Sequence, residues 1–311
     1  DQFVIRGKLC KHARWILEMS FVFESQLKKI RPKTVGFVCF YRPDAMAISL
    51  ACRRLGILVF DYQHGAQNDQ HPMYTNWGNV PEKGYELLPS LFWVWGDVPG
   101  ERISNWTDGN LHHRVFVGGN LWFASKWRSV EAASDLPVMT KPVVLVSLQG
   151  ESYLSDLLLD FLDLYASDYE FFFREHPRLP LSLASKARLQ KFSSESIDRT
   201  SQRELYAFLK TVSFHITGFS TVAFEAQAFG VPTAFIHLNA LSGYSNIIGR
   251  NGLYYAESAT ELKEILVACL ASKKAIVGDY FMTDINPSAV DFLYKRFVLD
   301  KNNTQAALES G

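Results

Sequence analysis

Four short polar clusters carry residue types that can hold anions or move protons. Gln63-His64-Gly65 follows the apolar run ILVFDY, Gly118-Gly119-Asn120 follows RVFV, Arg174-Glu175-His176-Pro177-Arg178 follows YEFFF, and Gly218-Phe219-Ser220-Thr221 follows SFHIT. The arginines and the histidine of the third cluster can donate charge-assisted hydrogen bonds to a phosphate, and Pro177 fixes the turn that presents them. In the fourth, Ser220 and Thr221 stand where a helix begins after a strand. Unpaired N–H groups and the positive end of the helix dipole would meet an anion there. Glu225 follows about one and a half turns into that helix, within reach of a sugar hydroxyl. The plainer reading is an ordinary βαβ unit with Ser220 as helix cap.

Gln63-His64-Gly65 points to proton transfer. An imidazole near its ordinary pKa can take a proton from an attacking hydroxyl, and Gly65 would let the backbone approach closely or turn left-handed. Asp61 and Asp69 are the competing bases, and a satisfied structural histidine is the plainer reading of His64. His71, before Pro72, reads as loop architecture, and His112 and His113 are assigned no role. Asn120, at the end of a Gly-Gly turn, and Gln149-Gly150, after the strand VVLVSL, complete the candidate ligand-lining set.

The elements around these clusters alternate. Helix-spaced apolar residues occupy 9–30. Strands are expected at 34–40, 57–62, 91–96 and 114–119, with helices at 44–55 and 99–105 between them. The stretch 125–141 is polar and bounded by prolines, so it reads as a linker. The alternation then restarts with strands at 143–148 and 169–175, the strand–turn–helix of 213–230, a strand at TAFIH, and helices at 153–165, 181–192, 204–209, 260–270 and 286–298. The expected division is an acceptor domain at 1–124, a linker at 125–141, a nucleotide-donor domain at 142–300 and a frayed tail at 301–311. The expected fold is α/β, two Rossmann-like domains with parallel sheets. Ligands of such sheets bind beyond the carboxyl ends of the strands, where all four clusters fall, so the two domains are expected to face each other across a cleft.

The totals narrow the field. The chain has 311 residues, 48% of them apolar, enough for two cores. Lys plus Arg equals Asp plus Glu at 32 each, so no overall field favours nucleic acid. No apolar run reaches the ~18 residues of a membrane span. Cys10, Cys39, Cys52 and Cys269 are scattered, read as reduced buried thiols, and suggest a cytoplasmic protein. No Cys/His spacing suggests zinc, and no Asp-x-Asp motif is present to hold a divalent ion.

These motifs resemble those of the GT-B glycosyltransferases of bacterial surface polysaccharide synthesis. His-Pro followed by G-F-S-T-V-A-F-E is similar to capsule Kdo- and sialyltransferase-like enzymes. It is also similar to CDP-glycerol glycerophosphotransferases, whose WHG loop and R-x-HP motif are matched by His64 and by Arg174, His176 and Pro177. The tryptophan of WHG and the aspartate of that family's Asp-Tyr-Ser-Ser turn are absent here. Gly118-Gly119-Asn120 is similar to a turn of the non-hydrolysing UDP-sugar 2-epimerases. No Glu-x7-Glu pair of the kind common in retaining GT-B enzymes involves Glu225.

The resemblance implies a metal-independent glycosyltransferase without a resident cofactor. Its donor would be a nucleotide-sugar, CMP- or CDP-linked by preference and UDP-linked as the alternative. Its acceptor would be a glycan or lipid-linked glycan, and that acceptor would be what draws the protein to the inner face of a membrane. Arg174, His176, Pro177, Arg178, Gly218, Ser220, Thr221 and Glu225 would hold the donor. His64 would be the base, and Gln63, Gly65, Asn120, Gln149 and Gly150 would line the cleft. The alternatives are a CDP-alditol phosphotransferase, a UDP-sugar 2-epimerase and a non-catalytic nucleotide-binding module.

Overall fold

The computed structural model describes residues 2–75, 77–126, 129–136, 138–272, 276, 284–286 and 291. They divide into two compact units. The first comprises 2–67 and 71–120 with 284–286 and 291, and the second comprises 68–70 and 121–272 with 276.

The first unit opens with the long helix α1 (Gln2–Ile30). It continues through β1 (Thr34–Phe37), α2 (Pro43–Arg54), β2 (Leu58–Tyr62), β3 (Leu91–Val94), α3 (Asp97–Thr107) and β4 (Arg114–Val117). Its sheet runs β1-β2-β3-β4, all parallel. Ile16, Ser20 and Leu27 form the buried stripe of α1, at spacings of four and seven residues that return to one helix face. Phe23 and Leu27 pack with Ala51, Cys52, Ile57 and Val59. On the other side Phe40, Tyr74, Phe92 and Trp106 make an edge-to-face aromatic core. Trp93 and Trp95 are also buried, so the aromatic set of this strand is core.

The second unit contains α4 (Leu121–Lys126), β5 (Val143–Ser147), α5 (Asp156–Tyr165), β6 (Glu170–Arg174), α6 (Leu183–Gln190), α7 (Ile197–Gln202) and α8 (Leu205–Leu209). It ends with β7 (Phe214–Thr217), α9 (Val222–Ala228), β8 (Thr233–Phe235), α10 (Leu238–Tyr244), β9 (Leu253–Tyr255) and α11 (Ala259–Ala271). The order β6-β5-β7-β8-β9 is again all parallel. Val143 through Val146 and Phe171 through Phe173 are buried without alternation, the pattern of strands covered on both faces. His215 lies within this sheet, wholly buried. Its ring bridges Ser147 Oγ at 2.9 Å and Thr233 Oγ1 at 3.0 Å, and burial pushes its pKa down to about 3.

The expected boundaries shift in three places. The second unit starts at Leu121 because Phe123 of α4 packs edge-on against Tyr206 and Phe229. The stretch expected to be a linker is held to the same unit. Ala133 N donates to Ala207 O, and Asp135 accepts from Arg199 and Arg203, the latter also paired with Glu195. Residues 284–286, expected in the donor domain, belong to the first unit, where Asn286 N donates to Gly118 O. The expected helix 286–298 and the tail 301–311 lie outside the described residues, apart from Asn286 and Asp291.

All four cysteines are free, but only Cys52 is buried. Cys10 is exposed, and Cys39 and Cys269 are half-buried. No helix among the described residues is long and apolar enough to cross a membrane.

Candidate functional site

The first unit commits most of its strand-end polar groups internally. Asp61, at the end of β2, is buried. Its Oδ1 accepts from Phe40 N at 3.1 Å and its Oδ2 from Tyr74 Oη at 2.7 Å. Burial outweighs both bonds and pushes its pKa up to about 7. Asp61 therefore ties the β1–α2 corner to the loop after β2, with both of its oxygens engaged by protein donors. Gln63 is likewise buried, with Oε1 accepting from Trp95 N and Nε2 donating to Gly65 O.

Gly65 does not make a left-handed turn. Its φ is not positive, and a Cβ there would meet nothing within 4 Å. His64 is exposed, its ring 3.2 Å from Cys39 Sγ at Nε2, and desolvation lowers its pKa from the ordinary imidazole value. Asp69 belongs to the second unit, where its N donates to Gly243 O. His71 is loop architecture as expected, its Nδ1 accepting from Met73 N. His113 is a buried clasp between Tyr85 N and Pro89 O. Gly118 and Gly119 fold onto Trp93, whose Nε1 donates to Gly119 O, and Asn120 after them is buried. A Cβ on Gly118 would lie 2.2 Å from the Trp93 ring.

The second unit gathers its strand-end loops. Gln149 Oε1, after β5, accepts from Phe219 N at 2.7 Å, after β7. Gly150 has φ +89°, and a Cβ there would lie 2.9 Å from Leu179 Cβ, which joins the β5 corner to the turn after β6. Gly218 has room for no side chain. A Cβ would sit 2.7 Å from Gln149 Oε1 and 3.6 Å from His237 Cβ, after β8. Tyr153, Phe219 and His237 place their ring centroids 4.9, 5.4 and 5.4 Å apart. His176 and Ser220, on loops after different strands, are thus linked through Gly150–Leu179 and Gln149–Phe219.

Two histidines at this edge share a geometry. His176 Nδ1 accepts from Arg178 N at 3.2 Å, and His237 Nδ1 accepts from Asn239 N at 3.1 Å. An Nδ1 that accepts leaves the ring proton on Nε2, so each presents an Nε2–H donor. Pro177 sits in the turn closed by Leu179 N on His176 O, and Pro177 and Arg178 are exposed.

The helix cap changes here, and two other expected residues have partners within the protein. The helix cap is Thr221 rather than Ser220, since the helical turn begins one residue later. Ser220 Oγ still accepts from Val222 N at 3.3 Å. Arg174 is engaged by backbone carbonyls. Its Nη1 donates to the carbonyls of Thr200 and Arg203 at 3.1 and 2.8 Å and closes the end of α7. Glu225 accepts from Tyr206 Oη at 3.0 Å, and burial raises its pKa to about 7 against the pull of that bond and of Arg174. Sequence reasoning missed His237 and Tyr153, and it took Phe219 only as part of its cluster and Cys39 only as a buried thiol. The position of His237 at the end of TAFIH was the available signal.

No family model matches the chain, and no curated protein matches it. Solved structures do. A Listeria monocytogenes protein assigned as a UDP-N-acetylglucosamine 2-epimerase superposes with a TM-score of 0.62 at 13% identity over 92% of this chain and 80% of that one. The S. aureus MnaA–UDP co-structure gives 0.59 at 12% over 92% and 82%. The UDP-GlcNAc 2-epimerase of Methanocaldococcus jannaschii gives 0.55 at 16% over 89% and 81%. What this chain shares with them is the fold, two Rossmann-like α/β domains of the GT-B type.

Proposed function

We propose that the protein acts on a nucleotide-activated sugar held by the second unit and transfers the sugar to a hydroxyl acceptor. The supporting observation is the meeting of the loops after β5, β7 and β8, tied by Gln149 to Phe219 and closed over Gly218. The ring cluster of Tyr153, Phe219 and His237 offers a face for a nucleobase. The Nε2–H donors of His176 and His237, with Arg178 and the backbone of Gly218 through Thr221, are the candidates for its phosphates. Negative charge grows on the departing phosphate in the transition state. Donors already in place therefore stabilise that state more than the ground state. Glu225 would accept from the ribose, with Tyr206 and Arg174 holding it. Metal-independence belongs to this proposal. His64, whose pKa desolvation lowers, is the base that would take the acceptor proton.

A second reading, epimerisation of a UDP-sugar, is favoured by the fold likeness to UDP-N-acetylglucosamine 2-epimerases. Incubation with UDP-N-acetylglucosamine alone separates the two. A changed sugar without acceptor supports the epimerase. A sugar released or moved only when an acceptor glycan is added supports transfer.

A further inference from the structure

β1 ends at Phe37, and the chain reaches α2 through a corner whose geometry is unusual. Cys39 adopts φ +59°, in the region L-residues rarely occupy. The next residue holds it there, because Phe40 is fully buried and its N–H is bonded to Asp61. The corner puts the Cys39 thiol beside the imidazole of His64, with Sγ 3.2 Å from Nε2 and 3.7 Å from Nδ1. Cys39 is half-buried, and the His64 beside it is exposed. Tyr41 lies close to the same thiol, and burial chiefly pushes the pKa of its hydroxyl up to about 12. Asp61 lies behind Tyr41, and His71 lies near both Tyr41 and His64.

We propose that Cys39 is a nucleophilic thiol with His64 as its base, and that this corner is a modification site for small soft electrophiles, peroxides above all. Sγ faces the ring, 3.2 and 3.7 Å from its two nitrogens, so a turn of the exposed imidazole brings Nε2 into line; Nε2 then takes the thiol proton, and the thiolate attacks one peroxide oxygen. The S–O bond forms as the O–O bond breaks. The departing hydroxide takes the proton back from His64 as water. Cys39 is oxidised to the sulfenic acid, and the peroxide is reduced. The inference is independent of the nucleotide-sugar reading, although an adduct here would lie against the imidazole that reading uses.

Cys10 supplies an internal control, since it is exposed on α1. Limiting iodoacetamide at pH 7, followed by peptide mass analysis, should label Cys39 roughly tenfold faster than Cys10. His64→Ala and, separately, His64→Asn should reduce the Cys39 rate by a similar factor and leave Cys10 unchanged. One equivalent of hydrogen peroxide with a 1,3-diketone trap should mark Cys39 first. Faster labelling of Cys10, or a Cys39 rate indifferent to both His64 variants, would overturn the assignment. None of these readouts involves a nucleotide, so their failure would leave the sugar-nucleotide reading where it stands.

Discussion

The strand ends of the two units use polar side chains differently. After β2, Asp61 and Gln63 turn inward, and both side-chain oxygens of Asp61 are occupied by protein donors. After β5, β7 and β8 the side chains brace each other and leave donors over, namely the Nε2–H groups of His176 and His237. Two glycines mark the contrast. Gly65 stands in open space, while Gly218 is hemmed in by Gln149 and His237. Equivalent positions in two parallel sheets can thus be committed internally in one and keep donors over in the other, the difference on which the proposed recognition rests.

Gly218→Val should give the largest effect. The added methyls would displace Gln149 from Phe219, at a cost of about 3 kcal/mol in stability, and would abolish stabilisation by nucleotides. Chemical denaturation with and without nucleotide checks both. An unchanged nucleotide response in this variant would erase the contrast between the sheets.

Asp61→Asn should follow, at about 2 kcal/mol near pH 4, because an amide offers one acceptor to two donors. Asp61 titrates near 7 when folded and near 4 when unfolded. Its ionisation therefore destabilises the wild type progressively as pH rises from about 4 to about 7. The wild type's advantage over the Asn variant should shrink across that window, as melting temperatures at several pH values would show. A constant difference would mean that Asp61 is ionised throughout.

His176→Ala should weaken nucleotide binding about tenfold, by the loss of one hydrogen bond to a charged group, with the melting temperature of the free protein unchanged. Titration calorimetry would measure it. Gly65→Ala should be the mildest change, a gain of about 0.5 kcal/mol through lower unfolded-chain entropy. A marked loss in that variant would show that the first unit does need close backbone approach after β2.

The sequence reveals the alternation and the clusters because buried parallel strands are continuous apolar runs and polar residues gather at their ends. VVLVS and EFFFR carry that signal plainly. It does not reveal direction. Arg174 sits in a phosphate-like motif yet donates to the carbonyls of Thr200 and Arg203, because α7, which gave no periodic signal in six residues, ends within its reach. Pairings distant in sequence, Cys39 with His64 and Gln149 with Phe219, depend on loop paths that local spacing does not encode. The division at Leu121 escaped for a similar reason, since Phe123 finds Tyr206 only after folding.

Thermal unfolding with saturating UDP, CDP, CMP and GDP tests the nucleotide site in the second unit most directly. At one hundred times its dissociation constant a bound nucleotide adds about 2.7 kcal/mol, a rise of roughly 5 °C for a chain of this size. The account predicts such a rise for a pyrimidine nucleotide in the wild type and none in Gly218→Val. Flat melting curves for all four nucleotides, or an equal rise in both proteins, would contradict it.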